Sequence, residues 1–241
     1  YPHLIMQYNI SPETYVRDIG QRPTADEIIG GLYNNENIRD YMNKHNVTVC
    51  GSGAMYTKDF QGFLPKLMET MYNDRVKWKT RMIEAQKKYQ KSKTKELEYE
   101  IAKCNNMQMA KKIQLNSAYG ALGNQYFRFF DQRIAEGITL TGQLTIRWAE
   151  TAINDYLNKI LKTNKDYVLA IDTDSVYVTL DDLIKAVNPK NPLEFLDTVC
   201  NEKLEPVLAE AYDQLFDMLG GIDNRMVMKR EAIADRGIWT A

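Results

Sequence analysis

The sequence has few of the residues that cross-link a chain and no run that would anchor it in a membrane. Its three cysteines, Cys50, Cys104 and Cys200, are far apart and odd in number, which argues against a disulfide framework and a zinc cluster. No apolar run approaches the roughly 18 residues needed to cross a bilayer, so no membrane partner is expected. With 44% hydrophobic and 26% charged residues among 241, the composition is that of a globular protein in a reducing compartment.

The net charge of -1 conceals an uneven distribution of charge along the chain. Between Arg75 and Lys112 there are twelve lysines and arginines and only four glutamates, whereas the remaining residues are acidic on balance. Glycine and proline are absent from Leu67 to Tyr119, and apolar residues recur there at helical spacing. This segment, which we call the arm, is predicted to form two antiparallel helices, about 67–91 and 95–120. A solvated hairpin whose lysines only confer solubility remains the alternative at this point.

The rest of the chain mixes helices and strands, which predicts an α+β fold. A capping-box pattern at Thr24 opens a helix towards Asn43, and Thr24 is followed three residues later by Glu27. The patterns of apolar and turn residues predict strands at 47–49 and 54–57, a helix at 134–161, a β-hairpin at 167–178, a helix at about 192–219 and a strand at 225–231.

The tip of the predicted hairpin carries two carboxylates. Asp172 and Asp174 are two residues apart, so in an extended backbone both project to the same side, where Mg²⁺ could take oxygen ligands. Aspartate also favours turns for conformational reasons, and this remains the alternative. The flanking β-branched runs should be buried and would support a metal site rigidly.

A second group of candidate residues lies at the end of the arm. Lys112, Asn116 and Tyr119 fall on one helical face, and Gly120 follows them. On the opposite helix, Arg75 and Lys79 are also four residues apart, so the hairpin could direct these cations at one triphosphate. A solvated face for the cations and a packing role for Tyr119 and Gly120 are the alternatives.

Two motifs together resemble those of family B DNA polymerases. Lys112-x-x-x-Asn116-Ser117-x-Tyr119-Gly120 is similar to the fingers motif of that family, and Asp172-Thr173-Asp174-Ser175 to its palm carboxylate motif. Tyr1-Pro2 resembles the end of the first palm motif, and Met71-Tyr-Asn-Asp-Arg75 the start of the first fingers helix. Three further segments, at 9–14, 119–124 and 229–234, most resemble the replicative polymerases of T-even-like bacteriophages.

The resemblance implies a fold and a domain arrangement. It implies a palm made of an antiparallel sheet backed by helices at 1–64 and 124–241, with a helical-hairpin fingers subdomain at 65–123. Nothing in the sequence resembles the N-terminal, exonuclease or thumb domains of the family.

The resemblance also implies roles for individual residues in a two-metal nucleotidyl transfer. Asp174 would be the main ligand of the Mg²⁺ ions, with Mn²⁺ as a possible substitute, Asp172 beside it and Glu231 a peripheral carboxylate. The incoming dNTP would be held at its triphosphate by Arg75, Lys79, Lys112 and Asn116, at its sugar by Tyr1, and at its base by Tyr119 and Gly120. The implied partners are primer-template DNA, dNTPs, the remaining polymerase domains and, from the family alone, a sliding clamp, in the cytoplasm of a host cell.

The sequence also departs from the family pattern. The family's first metal-binding aspartate lies upstream of the Tyr-Pro pair, and the chain begins at Tyr1 without an initiator methionine, so a fragment that is inactive alone is expected. His3 stands where the family usually has serine, and Ala170-Ile171 where Tyr-Gly is common.

Two other functions are alternatives to a DNA polymerase. A reverse transcriptase or RNA polymerase palm is disfavoured by Asp-Thr-Asp in place of adjacent aspartates. A non-catalytic nucleic-acid-binding domain that uses the cationic arm remains an alternative.

Overall fold

The computed structural model describes residues 1–16, 28 and 36–237, and it confirms an α+β fold made mostly of helices. The elements are α1 (Pro2–Gln7), β1 (Tyr15–Val16), α2 (Glu36–His45), β2 (Val47–Val49), β3 (Met55–Thr57), α3 (Phe63–Lys91), α4 (Lys95–Leu122), α5 (Gln132–Leu161), β4 (Val168–Asp172), β5 (Ser175–Val178), α6 (Asp181–Val187), α7 (Pro192–Val199), a π-helical turn (Cys200–Leu204) and α8 (Glu205–Met218). The strands form an antiparallel sheet of order β1-β3-β2 and the separate hairpin β4-β5.

The arm is the antiparallel pair α3 and α4, as predicted. The helix α3 begins four residues earlier than expected, because Pro65 is tolerated in the first turn of a helix. The chain reverses over 92–94, where the Thr94 side chain accepts a hydrogen bond from the Leu97 amide and caps α4. The contact between the two helices buries Ala85 on α3 and Cys104 on α4.

The main core lies where α1, the three-stranded sheet and the first half of α5 meet. Ile5, Tyr8 and Tyr56 are fully buried there, with Ile138 and Leu144 of α5 packed in the same cluster. The apolar face predicted for the helix 134–161 is therefore confirmed, and the helix extends from Gln132 to Leu161.

A smaller core supports the acidic hairpin. Ile153 and Leu157 from the second half of α5 pack with Tyr167, Val168 and Tyr212 of α8. The β4-β5 hairpin thus packs against α5 and α8 and, among the described residues, is not part of a larger sheet.

The predicted helix at 192–219 is interrupted. The structure has α7, a π-helical turn and then α8. Pro206, in the first turn of α8, has no amide hydrogen, so it cannot donate the bond that would continue a regular helix from the preceding turn. The short helices α1 and α6 were not predicted.

The predicted strand at 225–231 is wrong, because this extended segment has no neighbouring strand. Its backbone amides donate to side chains instead. The Arg225 amide donates to the Gln7 side-chain oxygen Oε1 at 3.0 Å, and the Met226 amide to the Asn224 side-chain oxygen at 3.2 Å. The alternation that suggested a strand still separates two faces, since Met228 packs on the smaller core and Val227 is 75% exposed.

Most of the helix predicted from Thr24 lies outside the described residues, and α2 accounts for its C-terminal part. Within the described ranges, no helix is long and apolar enough to span a bilayer.

Candidate active site

The two carboxylates lie at the tip of the β4-β5 hairpin. Asp172 pairs with Ser175, which leaves Thr173 and Asp174 as the turn. The Asp174 amide donates to the Asp172 carbonyl at 2.5 Å, and Thr173 adopts a φ of 49°. A β-branched residue is uncommon in this left-handed region. Strained backbone of this kind is found preferentially at functional sites, which makes this turn a candidate.

The tip of the β4-β5 hairpin offers carboxylate oxygens, the type of ligand that Mg²⁺ prefers. The side chains of Asp172 and Asp174 are both exposed. Mg²⁺ in proteins commonly takes one or two carboxylates and completes its shell with water and substrate phosphates, and two aspartates fit this pattern. Across residues 1–16, 28 and 36–237, no group of three or more His, Cys, Asp or Glu residues is placed to hold a metal, so Glu231 does not join the two aspartates in such a cluster.

Tyr1 connects the acidic tip to the base of the arm. Its ring stacks on that of Tyr119 in α4, with the ring centres 4.4 Å apart and the planes 25° from parallel. The Tyr119 hydroxyl lies 3.0 Å from the hydroxyl of Thr139 on α5. Burial, followed by the neighbouring Tyr119 and then the charge of Asp174, raises the pKa of the Tyr1 phenol. Tyr1 therefore joins the start of α1 to the end of α4, within reach of the charge at the hairpin tip.

The contact between α3 and α4 determines which residues share a face of the arm. Asp74 on α3 and Lys111 on α4 point towards each other, with Oδ2 and Nζ 3.5 Å apart. In two antiparallel right-handed helices, the residues that follow a facing pair turn to the same side. Arg75 and Lys112 therefore share one face of the arm.

The same face continues by one helical turn along each helix. Lys79 lies four residues beyond Arg75, and Asn116 four residues beyond Lys112. Lys79, Lys112 and Asn116 are exposed, whereas Arg75 is half-buried and its Nε has no partner among the described residues. This arrangement presents two lysines, an arginine and an amide along one side of the arm.

A junction at the base of the arm was missed by the sequence reasoning. Arg225 from the extended segment contacts Glu69 of α3 at 2.8 Å and Asp223 at 2.7 Å. His3 of α1 packs edge-on against Tyr72 of α3, with ring centres 4.8 Å apart.

The surroundings of His3 are buried and positively charged. Burial first, and then the positive charges of Arg225 and Arg75, lower the pKa of His3, although a hydrogen bond to the Arg225 backbone opposes the shift. The only hint in the sequence was that His3 replaces a serine, since nothing in the pattern around Arg225 points to α3.

The structure thus brings some of the predicted site residues together and leaves others apart. Tyr1 and Tyr119 are in contact, and the charge of Asp174 acts on Tyr1. Gly120 lies in the last turn of α4 beside open space, because a Cβ there would meet no atom within 4 Å. Glu231 is exposed on the extended segment.

The family model and the similar proteins found by comparison are all DNA polymerases. The family model of DNA polymerase family B matches residues 1–197. The DNA-directed DNA polymerase of Enterobacteria phage T4 is 34% identical over 97% of this chain and 30% of its own length. That of Escherichia phage RB69 is 29% identical over the same shares, and DNA polymerase 1 of Pyrococcus abyssi is 29% identical over 90% of this chain and 23% of its own length.

The chain spans less than a third of the length of these relatives. The likeness to phage T4 agrees with the resemblance to T-even-like phages that the sequence motifs indicated. The match over residues 1–197 shows that the chain belongs to DNA polymerase family B.

Proposed function

We propose that this chain is the palm and fingers of a DNA-templated DNA polymerase, which adds a dNTP to a primer 3′-hydroxyl during replication of a phage genome in the host cytoplasm. The arm would be the fingers, at 65–123, and the residues at 1–64 and 124–241 the palm. The observation that carries the proposal is the stack of Tyr1 on Tyr119 beside Asp174, because it joins the arm to the carboxylates in one place.

The carboxylates would serve phosphoryl transfer by holding divalent cations. Asp174, with Asp172 beside it, would hold Mg²⁺, which when bound neutralises charge on the phosphates and favours ionisation of the primer hydroxyl. The register supports unequal roles for the two aspartates. Asp172 still belongs to β4, whereas Asp174 lies in the turn and acts electrostatically on Tyr1.

The face of the arm that carries Arg75 and Lys112 would hold the triphosphate. Arginine offers a planar fork and lysine a point charge, and both bind phosphate oxygens. The buried, unpartnered Nε of Arg75 is a donor that a phosphate oxygen could satisfy. With Lys79 and Asn116 on the same face, the side chains would position the α-phosphate near the primer, a proximity effect.

Tyr1, Tyr119 and Gly120 would read the rest of the nucleotide. The Tyr1 ring is held in place by its stack on Tyr119, so it could exclude a 2′-hydroxyl from the space above it. The open space beside Gly120 would admit the edge of the new base pair.

The carboxylates provide the test of this proposal. In the full-length polymerase, we expect Asp174→Ala to lower the single-turnover rate of incorporation by several orders of magnitude, and Asp172→Ala to lower it less. Asp155→Ala, an exposed aspartate on α5, is the matched control and should keep the wild-type rate.

The rates are measured over a Mg²⁺ titration, with DNA affinity determined separately for each variant. Near-wild-type rates for Asp174→Ala would contradict the proposal and favour the non-catalytic nucleic-acid-binding domain. Equal losses for both aspartates would contradict their unequal roles.

A further inference from the structure

The outer end of the arm carries a cluster of lysines that the proposed function does not use. We call this cluster the tip patch, and its members are Lys87, Lys88, Lys91, Lys93, Lys95 and Lys103. All six are exposed, and no acidic residue occurs between Lys87 and Lys95. They make up half of the twelve basic residues between Arg75 and Lys112.

The tip patch differs from the other cations of the arm in its pairing. Nearer the base, Asp74 lies 3.9 Å from Lys77 and 3.5 Å from Lys111, and at the inner edge of the tip patch Arg81 bonds Glu100 at 2.6 Å. Within the described part of the chain, none of the six tip lysines forms an ion pair.

The nearest acids offset the tip patch only in part. Glu96 and Glu98 occupy the first turn of α4, where carboxylates suit the positive end of the helix dipole. Glu84 lies one helical turn before Lys87 and Lys88, and Glu100, one turn before Lys103, is bonded to Arg81. Six lysines against Glu84, Glu96 and Glu98 leave the tip patch cationic. A surface of this kind attracts polyanions.

An exposed aromatic ring lies within the tip patch. Tyr99 is 70% exposed, and Lys95 and Lys103 lie four residues before and after it on the same face of α4. A cationic surface with an exposed ring is the combination that binds single strands of nucleic acid, because lysines contact the phosphates while a base stacks on the ring. A base within a duplex is already stacked and is not available to Tyr99.

We propose that the tip patch binds single-stranded DNA, with its lysines on the phosphates and a base stacked on Tyr99. Identification of that strand as the unpaired template rests on the proposed function. Lys95 lies 17 residues from Lys112 along α4, which corresponds to about 26 Å at the helical rise. At about 3.4 Å per nucleotide of a stacked strand, this distance places the tip patch roughly seven or eight nucleotides ahead of the reaction site.

Fluorescence anisotropy of the 241-residue chain tests the proposal with dT12 and with primer-templates carrying overhangs of 3 or 14 nucleotides. We expect the triple variant Lys91→Ala/Lys93→Ala/Lys95→Ala to bind dT12 and the long overhang about tenfold or more weakly. The slope of log affinity against log salt should fall by about 2, since each lost phosphate contact contributes about 0.7 for a single strand. The 3-nucleotide overhang cannot reach the tip patch, so the triple variant should bind that primer-template as tightly as wild type does.

Two further variants separate stacking and general charge from the phosphate contacts. Tyr99→Leu should weaken dT12 binding several-fold without changing the salt slope, because it removes the ring and no charge. Lys159→Ala/Lys185→Ala/Lys190→Ala removes three exposed lysines outside the arm and should leave dT12 binding unchanged.

The proposal is overturned if the wild-type chain does not bind dT12, or if the triple variant of the tip patch binds dT12 as tightly as wild type does. It is also overturned if the control triple variant loses as much affinity for dT12 as the variant of the tip patch. A loss that is equal for the 3- and 14-nucleotide overhangs would overturn the placement ahead of the reaction site. Binding of dATP in the presence of Mg²⁺ is measured separately. A chain that binds dT12 through the tip patch without binding dATP would contradict the proposed function and leave the tip patch as a single-strand site.

Discussion

At the scale of single residues, Tyr1 links several parts of the candidate site. Its ring stacks on that of Tyr119, and the charge of Asp174 contributes to the raised pKa of its phenol. A Cβ added at Gly142 of α5 would lie only 3.4 Å from a carbon of the Tyr1 ring. The ring therefore lies against both α4 and α5, with Tyr1 still 40% exposed. A side chain held in this way can reject a substrate by its shape rather than by a hydrogen bond.

We predict that Tyr1→Ala reduces discrimination between dATP and ATP in the full-length polymerase. Removal of the ring opens the space that a 2′-hydroxyl would need, so the ratio of the two incorporation efficiencies should fall at least about tenfold, equal to about 1.4 kcal/mol. Tyr1→Phe keeps the ring and should keep the ratio. If Tyr1→Ala left the ratio unchanged, Tyr1 would not be the residue that excludes the ribose.

His3 should make the stability of the chain depend on pH. Burial, together with the neighbouring positive charges, lowers its pKa in the folded chain, whereas the unfolded chain keeps a value near 6.5. Below about pH 6.5 the unfolded state binds this proton first, so the free energy of unfolding falls as the pH falls. The contribution of His3 is present above that pH and cannot exceed about 1.4 kcal/mol per pH unit.

Urea unfolding at pH 7.5 and 5.5 measures this effect. The loss of stability between the two pH values should be smaller in His3→Asn than in wild type, since asparagine does not titrate. The carboxylates contribute the same slope to both proteins. An identical loss in both would show that the pKa of His3 is not lowered.

At the scale of elements, strong local patterns were predictive. The arm has an uninterrupted helical period and a polar break at 92–94. Both predicted helices form, although α3 begins four residues earlier and α4 ends two residues later than predicted. The hairpin likewise follows from β-branched runs on either side of Asp-Thr-Asp. Candidate residues on these elements could be named because the two motifs fall on them.

The failures occur where contacts distant in the chain decide the structure. The segment at 225–231 alternates like a strand, but its amides bond side chains of α1 and of its own turn, and these bonds leave no local pattern. The junction of His3 with Arg225 joins elements from opposite ends of the described chain. Packing of this kind overrides the local preference for a strand.

Substitution by alanine should have opposite effects at two glycines, one in the turn after β2 and one in α4. A Cβ at Gly51 would lie 2.5 Å from the Leu140 carbonyl oxygen, and backbone cannot move aside easily. Gly51→Ala should therefore lower the free energy of unfolding by about 1–3 kcal/mol. Gly120→Ala meets no atom and improves helix propensity, so it should gain up to about 1 kcal/mol.

Urea unfolding of both variants checks this pair. Gly120→Ala should also slow nucleotide incorporation in the full-length polymerase, because the methyl group would enter the space proposed for the base pair. A Gly51→Ala variant as stable as wild type would contradict the close approach of the two backbones. A Gly120→Ala variant with an unchanged rate would remove Gly120 from the proposed site.

At the scale of the whole molecule, charge and burial are distributed differently between the arm and the rest of the chain. The arm holds the basic surplus and extends about 40 Å at the helical rise, with few buried side chains. The larger core belongs to α1, the sheet and α5, which hold Tyr1 against the base of the arm. A well-packed base and a long cationic arm are what the proposed positioning of a nucleotide and its template requires.

The central claim is that the arm and the acidic tip bind one dNTP together, and calorimetric titration of the 241-residue chain with dATP tests it most directly. With Mg²⁺ present, Lys112→Ala should bind dATP about ten- to a hundredfold more weakly than wild type, since it loses a charge-assisted contact of roughly 1.5–3 kcal/mol. Chelation of Mg²⁺ should weaken wild-type binding as well. Lys77→Ala, on the same arm but paired with Asp74, should bind as wild type does. Absence of dATP binding by the wild-type chain, or equal affinities for wild type and Lys112→Ala, would contradict the account.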